Sequence, residues 1–198
     1  MLKFCSLYSG SSGNSLFVQS NNTKILVDCG TSAKKIETAL DSINIDISDI
    51  DAILVTHEHS DHVQGIGTVS KKYDIPVFAN FETWDAMKTQ KEKIANNNIK
   101  IFENDTEFII GNLQIMPFST PHDAANPCGF NIHNGSKRLS IATDLGHMNN
   151  TLISELYDSA TANYEKYLEL NPNAEDKADV QAQLEKIKEA QNPQKVEG

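Results

Sequence analysis

The chain has 198 residues, enough for one or two small domains, and a composition of 39% hydrophobic and 22% charged residues that fits a globular protein rather than a disordered one. No apolar run approaches the ~20 residues that a membrane span requires, and Lys3 is followed by a Ser/Gly-rich segment rather than by the apolar core of a signal peptide. The net charge is −10, with a single arginine, Arg138, which excludes a wide basic footprint for a polyanion and leaves room only for a local lysine patch.

In chain order, residues 2–8 and 15–19 read as two strands around the loop 9–14, whose Gly and Ser residues suit a tight turn with exposed amides. Residues 24–27 form a third strand that ends at Asp28. Residues 31–40 have helical spacing, with Thr31 or Ser32 as N-cap. The apolar, β-branched run Ala52, Ile53, Leu54, Val55 reads as a buried strand, and a helix follows over 65–72. A short strand is expected at 76–79, a helix with the chain's only tryptophan, Trp84, at 81–93, and strands at 99–102, 107–110 and 113–117. Gly111-Asn112 makes a hairpin turn. A second hairpin, strands 130–133 and 138–142, turns around Asn134-Gly135. Strands dominate with helices between them, an α/β layered arrangement.

The most informative segment is His57-Glu58-His59-Ser60-Asp61-His62. It places three imidazoles and a carboxylate on the loop leaving a buried strand, where α/β proteins carry their chemistry. Neutral imidazole and carboxylate suit zinc, with manganese or iron as alternatives. His57 and His59 can grip one ion, while Asp61 and His62 can turn toward a second. His122 and Asp144 each follow a short apolar strand and can be delivered to the same sheet edge. Three widely spaced cysteines, Cys5, Cys29 and Cys128, read as packing residues of a reducing, cytoplasmic environment rather than as a disulfide framework. His133, beside a hairpin turn, reads as a surface residue.

The pattern His-x-His-x-Asp-His resembles the signature of the metallo-β-lactamase superfamily. The opening Leu7-Tyr8-Ser9-Gly10-Ser11-Ser12-Gly13-Asn14-Ser15, then Val27-Asp28-Cys29-Gly30, Pro121-His122-Asp123-Ala124 and Ala142-Thr143-Asp144-Leu145-Gly146 resemble its YycJ/WalJ branch over about residues 1–156. That resemblance implies an αββα sandwich and a hydrolase with two divalent metal ions. His57, His59 and His122 would hold one ion. Asp61 and His62 would begin the second site, and Asp144 would bridge. It implies hydrolysis of a phosphodiester by a hydroxide held at the metals, as a DNA 5′-to-3′ exonuclease, with Asp61 as general base and Asp28 orienting the histidine loop. Ser11, Ser12 and Asn14 are candidates to meet a phosphate, although a structural turn is the favoured reading of that loop.

Beyond about Leu156 the strand signal ends. Residues 157–198 read as a separate helical hairpin, helices 159–170 and 175–190 split by Asn171-Pro172-Asn173. The phrase from Asn163 to Pro172 is similar to the second helix of a tetratricopeptide repeat, a unit that needs a neighbour to bury its apolar face and so offers a surface for a protein partner. No histidine follows His147, so the last metal-ligand motif of the superfamily is not found, and the sandwich reads as lacking its C-terminal part. His147 or water would then complete the second metal site. The alternatives to a nuclease are a non-catalytic module that binds a partner through the tail, and a thioester or lactone hydrolase of the glyoxalase II kind. A sandwich lacking its closing strands would also leave a sheet edge exposed, and with it a tendency to aggregate unless the tail covers it.

Overall fold

The computed structural model describes residues 1–146, 150–170 and 177–190. Two sheets face each other. The first has six strands in the order β1 (Lys3–Tyr8), β2 (Ser15–Gln19), β3 (Lys24–Val27), β4 (Ala52–Leu54), β5 (Val77–Asn80) and β6 (Ile99–Phe102). Its first two pairings are antiparallel and those from β3 to β6 parallel. The second sheet is antiparallel, formed by β7 (Phe108–Ile110), β8 (Leu113–Ser119), β9 (Cys128–Asn134) and β10 (Lys137–Ile141), in the spatial order β10-β9-β8-β7.

Strand alternation divides the core. Val18, Ile25, Val27, Ala52 and Leu54 point from the first sheet toward Leu113, Ile115, Phe130 and Ile132 of the second. The opposite face, with Phe17, Leu26, Ile53 and Val55, packs against the helices through Ile36, Leu40, Val69 and Trp84. The inner parallel strands β3, β4 and β5 are largely buried on both faces and therefore read as apolar runs, whereas the edge strand β6 exposes Lys100 and Ile101. The helices are α1 (Ala33–Ser42), the single turn α2 (Ser60–Val63), α3 (Ile66–Tyr73), α4 (Phe81–Ala86) and the single turn α5 (Lys88–Lys91).

Ser32 is the N-cap residue of α1, as one of the two expected candidates, although its side chain makes no cap hydrogen bond. One local expectation needs correction. The helix expected over 81–93 is two pieces, α4 and α5, broken at Met87. Between Met87 and Ile94 the chain is entirely polar or charged, so no apolar stripe continues to hold one helix against the core.

After β10, α6 (Asn150–Leu170) runs without interruption through Leu156, and α7 (Lys177–Ala190) follows. Lys188 of α7 pairs with Glu165 of α6 at 2.6 Å. On the sheet side, Asn163 Nδ2 donates to the Arg138 carbonyl at 2.7 Å and the Arg138 N–H donates to Asn163 Oδ1 at 3.5 Å. A side-chain amide thus satisfies the outer backbone groups of β10, an edge strand with only β9 beside it. The Asn171-Pro172-Asn173 break and His147 lie outside the described residues. Among the described residues, no helix is long and apolar enough to cross a membrane.

Candidate metal centre

The site forms where four strands end on one side of the sandwich. Asp28 follows β3, Thr56 and His57 follow β4, His122 follows β8, and Asp144 follows β10. Asp28 and Asp144 both have left-handed backbone conformations, φ 62° and 50°. Each turns the chain abruptly after its strand, at a conformational cost that aspartate tolerates better than most residues.

The loop 57–62 is anchored from below. The Asn14 N–H donates to the Asp61 carbonyl at 2.7 Å, and the Gly30 N–H donates to the Asn14 carbonyl at 2.8 Å. Gly30 is required for this approach, because a Cβ built there would lie 1.5 Å from the Asp61 carbonyl oxygen. From above, the Ala125 N–H donates to Glu58 Oε1 at 2.8 Å and ties the same loop to the segment carrying His122.

Imidazoles dominate the interior. His57, His59 and His122 can each present one atom such that all lie within 4.8 Å of one another, and so can His57, His62 and Asp144. His59 Nδ1 and His122 Nε2 are 3.1 Å apart. This is close to the ~3.3 Å edge of a tetrahedron built on bonds of about 2.0–2.1 Å to zinc. Asp144 Oδ2 lies 2.6 Å from His62 Nε2 and 3.6 Å from His57 Nε2. Asp61 Oδ2 is 3.7 Å from His62 Nε2. Five of the residues singled out by the sequence, His57, His59, His62, His122 and Asp144, therefore share one cluster, and Asp61 borders it beside His62.

Two hydrogen-bond chains decide which nitrogens face inward. Asp28 Oδ1 accepts the Thr56 N–H and Asp28 Oδ2 accepts the Thr56 hydroxyl, both at 2.8 Å. With its only hydrogen donated, Thr56 Oγ1 accepts from His57 Nδ1 at 3.0 Å. The lone pair of His57 is thereby placed on Nε2, which is buried without a hydrogen-bond partner. His62 Nδ1 likewise donates to Asp28 Oδ2 at 2.8 Å, so its Nε2 lone pair faces the Asp144 carboxylate. Two acceptors at that separation need a cation or a proton between them. An orphaned imidazole nitrogen and a lone pair pressed against a carboxylate are the donor set that a divalent cation fits, and Asp28 and Thr56 are the outer groups that aim it.

The electrostatics agree. Burial pushes His57 down to about 4, reinforced by His62, His59 and His122 against the opposing pull of Asp28, so it is neutral at physiological pH. For His62, burial works to lower the value, but the Asp28 hydrogen bond and the Asp28, Asp144 and Asp61 charges outweigh it and raise the value. Cys29 and Cys128 are buried thiols pushed up by desolvation and by Asp28, which leaves them inert packing groups.

The cleft above the cluster has a volume of about 500 Å³ and is lined by Ser9–Ser11, Asn14, His59, Asp61, His122 and Ala142–Asp144. Asn14 is more than a turn residue. Its Nδ2 donates to Asp61 Oδ2 at 3.2 Å and lies 2.9 Å from His62 Nε2. Thr56 and Glu58 escaped sequence reasoning. The only sequence signal for Thr56 is its place between a buried strand and the histidines. Ser11 reaches the cleft, but Ser12 does not line it. His133 lies away from the cluster, beside Arg138 and Asp158.

Comparison with known proteins shows the family and the fold. The profile of the metallo-beta-lactamase superfamily matches residues 8–182. The chain is 39% identical to Exodeoxyribonuclease YycJ of Bacillus anthracis over 151 residues, covering 76% of this chain and 57% of the relative. It is also 39% identical to Exodeoxyribonuclease WalJ of Streptococcus pneumoniae over 152 residues, covering 76% of this chain and 56% of the relative. This chain thus spans little more than half the length of these relatives. Among solved structures, the metallo-beta-lactamase fold protein YhfI of Bacillus subtilis superposes with a TM-score of 0.56 at 19% identity, over 71% of this chain and 61% of that one, a likeness of fold.

Proposed function

Because the chain belongs to the metallo-β-lactamase superfamily, we propose that it is a metal-dependent hydrolase of phosphodiester bonds that degrades DNA from an end, in the 5′-to-3′ direction. The observation that carries the metal chemistry is the buried, unpartnered Nε2 of His57 within reach of His59, His122 and Asp144. The choice of DNA is supported by the two exodeoxyribonuclease relatives.

In this reading His57, His59 and His122 would hold one ion, Asp61 and His62 would begin the site of a second, and Asp144 would serve both. Divalent cations held there supply a Lewis acid for the phosphoryl oxygen and an activated water at neutral pH. The protein's own groups set the geometry of attack. The Asp61 carboxylate, whose Oδ2 is held by Asn14 at 3.2 Å, is placed to take the proton of the attacking water. Asp28 and Thr56 keep the imidazole lone pairs turned inward, so no ring has to reorient during turnover. The backbone of Ser9–Ser11 and the Thr143 side of the cleft frame the phosphate. No Ser or Cys nucleophile is needed.

The test is cleavage of end-labelled oligodeoxynucleotides by the full chain before chelation, after it, and after zinc or manganese is restored. Release of mononucleotides from the 5′ end is expected, lost on chelation and regained with metal. His59→Ala should lower the rate at least ~100-fold, since the loss of even an outer partner costs ~10–100-fold. A metal-loaded chain that leaves DNA intact while hydrolysing a thioester would overturn the substrate assignment.

A further inference from the structure

A hollow on the flank of the molecule lies between α3 and the segment after α5. It has a volume of about 490 Å³ and is lined by Gly67, Thr68, Lys71, Lys72 and Lys93, with no acidic residue in its wall. The hollow exists because Gly67 lets α3 come down onto this segment, where a Cβ would meet Gln90 Oε1 and Lys93 Cβ at 2.9 Å. All three lysines are exposed. Among the described residues, Lys93 Nζ reaches only Gln90 Oε1, at 3.5 Å. Lys72 is held by Glu37 at 2.8 Å, and Lys71 has no ion pair among the described residues.

This hollow lies next to a depression that borders the metal cleft. A neighbouring depression of about 390 Å³ shares Ser11 and Asp61 with the cleft and ends at Thr89 and Gln90. Gln90 then abuts Gly67. That depression is lined by polar side chains (Ser11, Ser60, Gln64, Thr89, Gln90) together with the apolar Val63, Ala86 and Met87, and its acidic member besides Asp61 is Glu58, whose Oε1 accepts from the Ala125 N–H. Lys88, near its far end, is paired with Asp85 at 3.4 Å. In a chain with a net charge of −10, such a confined cationic wall is where a polyanion can find counter-charge.

We infer that Lys71, Lys72 and Lys93 contact the phosphate backbone of a nucleic-acid strand whose reacting end lies in the histidine cleft. This rests on the phosphodiesterase reading above and adds a second contact, outside the cleft that holds the scissile bond. Neutralising phosphates releases counterions, so each ammonium that contacts a single strand contributes a slope of about −0.7 in log K against log salt.

The experiment compares two substrates on the metal-loaded full chain: a single-stranded oligodeoxynucleotide, and bis(p-nitrophenyl) phosphate, which fills only the cleft. The Lys71→Gln/Lys93→Gln double variant is set against the charge-matched control Lys3→Gln/Lys100→Gln. The double variant should raise the oligonucleotide KM about 10-fold or more at low salt and flatten the salt slope by about 1.4, with the small diester and the control unaffected. If the double variant cleaves the oligonucleotide as the control does, the lysine contact is overturned and the hydrolase reading stands. If the parent chain turns over neither substrate, the hydrolase reading fails and the lysine contact falls with it.

Discussion

At the scale of single residues, the centre is governed by one carboxylate, Asp28, that touches no inward-facing atom. It holds Thr56 by backbone and hydroxyl and His62 by Nδ1, each at 2.8 Å, and so sets two imidazole tautomers. Thr56→Val keeps the shape but removes the acceptor for His57 Nδ1. The expected result is a ~10–100-fold weaker metal affinity with a near-native fold, read by competition with a chromophoric chelator. The metal-free protein should also respond to pH in a defined way. The folded His57 titrates near 4 and the unfolded one near 6.5, so the unfolded chain takes up a proton that the folded chain refuses as the pH falls through that window. His57 therefore destabilises the fold on acidification from 6.5 to about 4. His62 has the opposite sign: its raised value favours the fold below 6.5, and this is lost as the pH rises through the folded value. Urea titrations of metal-free protein at pH 4.5 and 6.5 check the first. Equal or greater stability at the lower pH would contradict dominance of His57. The six candidate ligands were legible because they cluster in motifs behind apolar strands. Thr56 was not legible, because its role depends on a partner 28 residues away.

At the scale of elements, the site is a product of strand ends and close approaches. Parallel β3 and β4 deliver Asp28 and His57 side by side, and the helical turn α2 presses its first residues against the end of β3. Gly30→Ala should displace the Asp61 backbone, since the added carbon would sit 1.5 Å from its carbonyl oxygen. Overpacking of this kind costs about 1–3 kcal/mol, visible as a lower urea midpoint together with a weakened second metal site. An unchanged metal content and midpoint would show that the approach is slack. The strands were readable because apolar runs with β-branched residues have few other solutions. The break at Met87 was less readable, because it depends on the absence of apolar positions further along and not on a breaker residue.

At the scale of the whole molecule, charge and closure are the open physical problems, and the C-terminal segment bears on both. Residues 147–198 carry ten acidic and five basic side chains, which is half of the net −10. The lysines of α3 and of the segment after α5 lie on a flank built from other segments. The edge strand β10 meets α6 through the paired Asn163–Arg138 bonds, so the edge that the sequence suggested would be exposed is met by α6 at Arg138. Asn163→Leu should cost about 0.5–1.5 kcal/mol by removing those solvent-exposed bonds and should increase self-association in light scattering. A monomer of unchanged stability would show that β10 does not need this contact. The contact was not legible in advance, because an asparagine inside a helix has no sequence mark that distinguishes backbone mimicry from solvation.

The central claim is that two cations complete this cluster. Elemental analysis of metal per chain, on full-length protein purified without chelators and checked by intact mass, tests it most directly. Close to two zinc, manganese or iron ions per chain, falling below one in His57→Ala, is the predicted result. Less than one ion per chain in the parent, under conditions where the fold is intact, would contradict the account.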